Sequence, residues 1–280
     1  MTRIVAFSAL DTFRADFNFY DRNFFDDDLL EDEYLDLGGR TYRDAYVVNG
    51  YDAPVDLVLS LMGNNLYETF RGEIAGTVNA IFEFTFSETP LWYADGFAVP
   101  IASFFRVIST AGNADDRALL QQILSGNDVI NLSRASDRFE SGAGNDLVRA
   151  AGGRDVIYGD AGNDLINGGS GADRLLGGSG ADTIRGQGGV DTLYGETGND
   201  LLTGGGGADR FLFRRGDGVD VIADFRPNVD DIVIDSGATR FGQLDFYRVG
   251  SSTVVEFADV EIVLRGTRPF ELDSGDFIFV

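Results

Sequence analysis

The 280-residue chain carries 46 acidic and 22 basic residues, for a net charge of −24 and a pI near 4.1. All the basic residues are arginine, and lysine, histidine and cysteine are absent, which excludes disulfides, zinc sites built on thiolate or imidazole, Ser-His and Cys-His nucleophile pairs, and the Walker A phosphate loop. So negative a surface repels nucleic acid and anionic lipid and attracts divalent cations, and no uncharged apolar run approaches the ~18 residues of a membrane span.

Residues 1–112 show neither a repeat nor a motif. The opening MTRIVAFSALDTF does not read as a secretory signal, because Ser8 interrupts the apolar run, Asp11 ends it and no A-x-A site follows. An acidic, aromatic stretch runs from Phe17 to Asp36; its Asp26, Asp27, Asp28, Glu31, Asp32 and Glu33 read as a solvated charged face in preference to a chelate. From Tyr42 to Val99 the chain is β-rich, with partial alternation over residues 76–86. Whether this acidic N-terminal region binds a ligand or only extends a cap is left open by its residues.

Residues 113–125 predict a short helix. Asn113 is its N-cap, Asp115 and Asp116 suit the positive end of the dipole, and Ser125-Gly126 ends it. Leu119, Leu120, Ile123 and Leu124 form one apolar face, suited to covering the open end of a solenoid.

From Gly126 to Leu212 the sequence repeats every nine residues, and this stretch holds 22 of the chain's 37 glycines. Asp stands at 128, 137, 146, 155, 164, 173, 182, 191, 200 and 209. Two residues after each comes an apolar side chain, from Ile130 and Phe139 through to Leu202 and Phe211; two residues before each comes Gly, with Ala135 the exception. A short fixed period of this kind predicts a solenoid. The glycine-rich half of each unit turns, the other half forms a short strand with its apolar residue inward, and two units complete an 18-residue coil. Aspartates 18 apart then stack in two files, roughly 4.8 Å apart along each. Carboxylates at that spacing repel by about 3 to 4 kcal/mol at an effective dielectric near 20. A cation between coils reverses that sign, and with oxygen as the only donor on offer Ca²⁺ is the favoured ion. The alternative, aspartates that merely cap turns by Asx bonding, predicts a mixture of Asp and Asn at this position; ten Asp in ten repeats argue for the ion.

Units such as GDAGNDLIN, GGSGADRLL, GGSGADTIR, GQGGVDTLY, GETGNDLLT and GGGGADRFL, consecutive from Gly159 to Leu212, resemble the G-G-x-G-x-D-x-U-x nonapeptides of RTX (repeats-in-toxin) proteins. The likeness weakens upstream through AAGGRDVIY and SGAGNDLVR to LSRASDRFE and ILSGNDVIN. The resemblance implies a mostly β protein whose core is a right-handed parallel β-roll over 126–212, flanked by the short capping helix and by β-rich N- and C-terminal caps. It also implies several bound Ca²⁺ ions, held by the sixth-position Asp and by carbonyls around the second and fourth positions. Carried over residue by residue, the ligands are Asp146, Asp155, Asp164, Asp173, Asp182, Asp191, Asp200 and Asp209, with backbone partners at Gly153, Gly162, Gly171, Gly180, Gly189, Gly198 and Gly207. Asp128 and Asp137 stay unassigned, because their turns lack the first two glycines.

Residues 213–280 leave the nine-residue register but remain β-rich, with strand-like runs at 219–225, 232–234, 244–249, 253–257 and 260–264. RGDGVDVIADF (215–225) resembles the segment that closes RTX rolls; Asp217, Asp220 and Asp224 stand equally as ligands of a further ion or as turn and surface carboxylates. The tail Asp276-Phe-Ile-Phe-Val280 is similar to the C-terminal signal of RTX proteins exported by the type I pathway, although a C-terminal edge strand has the same pattern. The implied partners are calcium ions and the type I secretion machinery, and the implied location is extracellular. Acidic repeats stay unfolded where free Ca²⁺ is scarce and fold outside, where about six weak sites together supply several kcal/mol.

Enzymes often carry such repeats. A serralysin-type protease needs H-E-x-x-H, and an RTX lipase needs G-x-S-x-G with a His; neither is present. A glycosidase or epimerase needs only paired carboxylates, for which Glu83, Glu88 and Asp95 are the candidates. The expectation is a secreted, non-enzymatic calcium-binding protein. The alternatives are an extracellular adhesin or matrix protein, and a carboxylate-dependent polysaccharide-modifying enzyme using residues 1–112.

Overall fold

The structure, a computed structural model, describes residues 124–280 throughout and, before them, the backbone of eight strands. The expected helix at 113–125 lies outside the described residues except for its last two, where Leu124 is buried in a turn and Ser125 forms a bridge. The chain divides into two units, Met1–Val129 and Ile130–Val280.

The first unit contains β1 (Arg3–Ala6), β2 (Phe24–Leu30), β3 (Leu35–Leu37), β4 (Arg40–Tyr42), β5 (Asp44–Tyr51), β6 (Asp56–Glu68), β7 (Ile74–Thr85) and β8 (Pro90–Pro100). β2, β5, β6, β7, β8 and β1 pair in that order, each antiparallel to the next, while β3 and β4 form a separate antiparallel pair. Glu83 lies on β7 and Asp95 on β8. Their side chains, and Glu88 altogether, fall outside the described residues.

The second unit is a parallel β-solenoid. Its repeat strands are β9 (Val129–Asn131), β10 (Arg138–Glu140), β11 (Leu147–Arg149), β12 (Gly152–Gly153), β13 (Val156–Tyr158), β14 (Leu165–Gly171), β15 (Arg174–Gly180), β16 (Thr183–Gly188), β17 (Thr192–Gly198), β18 (Leu201–Gly206) and β19 (Arg210–Phe213). Apart from β12, which pairs with β14 in the sheet of β11, they alternate between two parallel sheets, so partners lie two repeats apart: Ile166 pairs with Ile184 and then Leu202 in one sheet, Ile157 with Leu175 and then Leu193 in the other. β9, β10, β11 and β13 span three residues, but β14 to β18 run six or seven residues into the glycine-rich segment. The extra pairing there, such as Gly178 with Glu196, is possible because successive turns share one backbone conformation.

The core is the apolar column. Ile130, Phe139, Val148, Ile157, Ile166, Leu175, Ile184, Leu193, Leu202 and Phe211 are all fully buried, each contributing about 1.5 to 3 kcal/mol relative to exposure. Both sheets continue past Leu212. β20 (Val219–Ile222) and β21 (Asp231–Ile234) add one strand to each, with coil lengths of 20 and 21 residues: Leu202 faces Ile222, and Phe211 faces Ile232. An antiparallel meander of β22 (Asp245–Val249), β23 (Ser252–Phe257) and β24 (Val260–Leu264) follows, and β24 also pairs in parallel with β20. The tail forms β25 (Phe277–Phe279), parallel to β21. Phe277 meets Phe241 and Phe246 at ring distances of 5.4 and 5.8 Å, seating this strand against the meander.

Candidate metal centre

Each nonapeptide presents its aspartate in the same way, because the same turn precedes it. The fourth-position glycines Gly153, Gly162, Gly171, Gly180, Gly189, Gly198 and Gly207 have φ between +127° and +157°, a region that L side chains rarely adopt. From Gly162 onward, a methyl group on any of them would lie 1.3–1.9 Å from the carbonyl oxygen of the residue 18 positions earlier. Fourth-position carbonyls are therefore stacked coil upon coil with no room for a side chain. The second position also takes positive φ, even where it holds Ala151, Asp160, Gln187 or Glu196.

The stacked aspartates are buried, with Asp146, Asp155, Asp164, Asp173, Asp182, Asp191, Asp200 and Asp209 each at most 3% exposed, and Asp128 and Asp137 buried as well. Their register makes a ladder that the spacing alone does not reveal. Oδ1 of each aspartate accepts the backbone N–H of the aspartate one coil earlier: Asp137 to Asp155, Asp146 to Asp164, Asp155 to Asp173, Asp164 to Asp182, Asp173 to Asp191, Asp182 to Asp200 and Asp191 to Asp209, at 2.7–3.0 Å. One oxygen of each carboxylate thus locks successive coils together.

The other oxygen is not used. Oδ2 of Asp155, Asp164, Asp173, Asp182, Asp191 and Asp200 is buried and receives no hydrogen bond. From Asp164 to Asp209 the first-position glycine leaves a cradle around Oδ2: a methyl group on Gly159, Gly168, Gly177, Gly186, Gly195 or Gly204 would stand 2.1–2.6 Å from Oδ2 of the aspartate five residues on. An unpartnered buried carboxylate oxygen costs several kcal/mol unless a proton or a cation meets it. The strain is visible in the acidities. Burial, only partly offset by the N–H bond from the previous coil and reinforced by neighbours in the file, pushes Asp155 and Asp164 up to about 7 and Asp191 up to about 6. Burial also raises Asp173, Asp182 and Asp209. Among the described residues no three acidic side chains converge on one point, so an ion here takes most of its ligands from main-chain carbonyls. Hard oxygen donors, one carboxylate per turn and an adaptable backbone cage fit Ca²⁺.

Beyond the repeats, two aspartates prolong the ladder. Asp220 accepts from the N–H of Asp200 at 2.9 Å, and Asp230 from that of Asp209 at 3.1 Å, both buried. Asp217 and Asp224 play other parts. Asp217 accepts from the Tyr194 hydroxyl and the Arg214 N–H, and Asp224 from the N–H groups of Gly204 and Gly205. Asp230 falls outside the nine-residue count because the coil before it has 21 residues; its signal is the retained D-x-U pattern, Asp230 with Ile232, as in Asp220 with Ile222. At this end Arg226 folds back, its guanidinium reaching the Gly207 carbonyl, Asp209 Oδ2 at 3.4 Å and Asp230 Oδ1 at 2.8 Å.

Residues 124–148, 149–184 and 185–220 match the family of RTX calcium-binding nonapeptide repeats (4 copies). No curated protein matches the chain. Among solved structures, the extracellular lipase LipA from Serratia marcescens is similar at 18% identity and a TM-score of 0.30, over 55% of this chain and 38% of that one. The AlgE6R3 subunit of the Azotobacter vinelandii mannuronan C5-epimerase is similar at 25% identity and a TM-score of 0.22, over 55% of this chain and 78% of that one. The chain thus spans well under half the length of the lipase. No helix among the described residues is long and apolar enough to cross a membrane.

Proposed function

We propose, from the premise that residues 124–220 are RTX calcium-binding nonapeptide repeats, that this chain is a secreted, non-enzymatic protein whose β-roll folds when it binds calcium outside the cell. The observation that carries the reading is the row of buried Oδ2 atoms without a hydrogen bond, from Asp155 to Asp200. In this reading the ligands are Asp146, Asp155, Asp164, Asp173, Asp182, Asp191 and Asp200, with carbonyls of the fourth-position glycines from Gly153 to Gly198, whereas Asp209 Oδ2 and the Gly207 carbonyl are met by the Arg226 guanidinium. Asp220, buried and next in its file, joins them. Bound Ca²⁺ supplies the positive charge that makes two files of buried carboxylates compatible with a folded chain.

The tail fits the same reading. Asp276 is buried and accepts the N–H of Asn228 at 2.6 Å, while Phe277 to Phe279 lie in the sheet. A signal at this place is legible as a linear segment only while the chain is unfolded, so export by the type I machinery precedes calcium binding. The low calcium of a cytoplasm keeps the repeats in that state, and the millimolar calcium outside ends it. Isothermal titration calorimetry of the full chain tests the reading: saturable binding of several Ca²⁺ ions with proton release supports it, and absence of binding at millimolar calcium overturns it.

A further inference from the structure

The two files of aspartates end differently. In the file of Asp137, Asp155, Asp173, Asp191 and Asp209, the Oδ2 atoms of Asp155, Asp173 and Asp191 are buried without a hydrogen bond, but that of Asp209 is not. It lies 3.4 Å from the Arg226 guanidinium. The same nitrogen donates to the carbonyl of Gly207 and, at 2.8 Å, to Asp230 Oδ1, while Nε donates to Asp230 Oδ2 at 3.2 Å. Gly207 is the fourth residue of its repeat and Asp209 the sixth. The cation therefore touches a fourth-position carbonyl and a sixth-position Oδ2 of one repeat, the two kinds of oxygen that the calcium reading assigns as ligands in the repeats before it. Its anchor is firm, since Asp230 is buried and also accepts the Arg226 backbone N–H at 2.9 Å. In the other file, Asp200 Oδ2 next to Asp220 receives no hydrogen bond from any side chain.

We propose that Arg226 is a tethered cation that takes the place of the last metal ion in the Asp137–Asp230 file, so that this end of the roll closes without calcium. The inference rests on the calcium reading of the repeats. It gives the roll an end that already holds one positive charge against the Asp209 and Asp230 carboxylates: a covalently attached charge meets no concentration requirement, whereas each ion does. The other file, ending on Asp200 and Asp220, keeps its terminal position for an ion.

The test is a calcium count on the full chain by calorimetry and equilibrium dialysis. Arg226→Gln is expected to bind one ion more than the unsubstituted chain and to need several-fold more calcium to reach half-folding, with the fold regained at saturation. Adding Asp230→Asn, whose amide oxygen still accepts the Asp209 N–H, is expected to return the count to the original number. An unchanged count in a folded Arg226→Gln chain overturns the inference, as does a variant that stays unfolded at saturating calcium. An unsubstituted chain that binds no calcium fails the reading of the repeats itself, a different result from a variant that merely binds the same number.

Discussion

Acidifying the metal-free chain should fold it. Asp155 and Asp164 are pushed from 3.8 up to about 7, chiefly by burial. A raised acid is protonated more readily in the folded state, so its contribution to stability is complete below about 3.8 and is lost as the pH rises through 7. The full rise corresponds to about 4 kcal/mol for each group, of which roughly 3 is realised at pH 5 relative to pH 8. The two residues stand in different files, so their effects add, and together they shift the metal-free folding equilibrium by roughly four powers of ten. Asp191, pushed up to about 6, adds a smaller share in the same direction. In excess chelator the far-UV circular dichroism spectrum should change from disordered at pH 8 to β-rich at pH 5, with a midpoint between. With calcium present the dependence reverses, because protons compete for the same oxygens and the calcium midpoint rises as pH falls. A chelated chain with the same spectrum at pH 5 and pH 8 refutes the reasoning, for it means that the aspartates are not held together in a buried file.

Two substitutions probe the turn and the ligand separately. Gly171→Ala places a methyl group 1.5 Å from the Gly153 carbonyl oxygen at φ +139° and should abolish calcium-dependent folding. Gly188→Ala, whose methyl group would be 4.0 Å from its nearest neighbour, should change the calcium midpoint less than about twofold; equal effects in calcium titrations count against the stacked-carbonyl geometry. Asp182→Asn keeps an oxygen for the Asp164 N–H but removes a buried charge. It should leave the chelated chain as stable or more so while raising the calcium midpoint several-fold, measured by the same titration; a variant weakened equally with and without calcium contradicts the ligand role.

The nine-residue period made the columns of Asp and apolar residues legible, because in a solenoid sequence spacing translates directly into stacking. What the period could not carry was the use made of each carboxylate. That Oδ1 takes an N–H from the previous coil and leaves Oδ2 bare follows from backbone geometry within one turn, which residue identity alone does not specify. The register was lost after Leu212 for a different reason. Coils of 20 and 21 residues displace Asp220 and Asp230 from the count, although each keeps its apolar partner two residues on. Arg226 was illegible, since an arginine folding back over a fourth-position carbonyl has no local signature. The tail, read as an export signal or an edge strand, is a strand in the described chain; that observation leaves room for both roles at different stages.

Far-UV circular dichroism of the full chain at pH 8, first in chelator, then titrated with calcium and separately with magnesium, tests the central claim most directly. Binding to weak oxygen cages summed over several coils predicts a cooperative gain of β signal at millimolar or lower calcium and little at equal magnesium. A β-rich spectrum already complete in chelator, or the same response to both ions, would contradict a roll that depends on calcium to hold its carboxylates together.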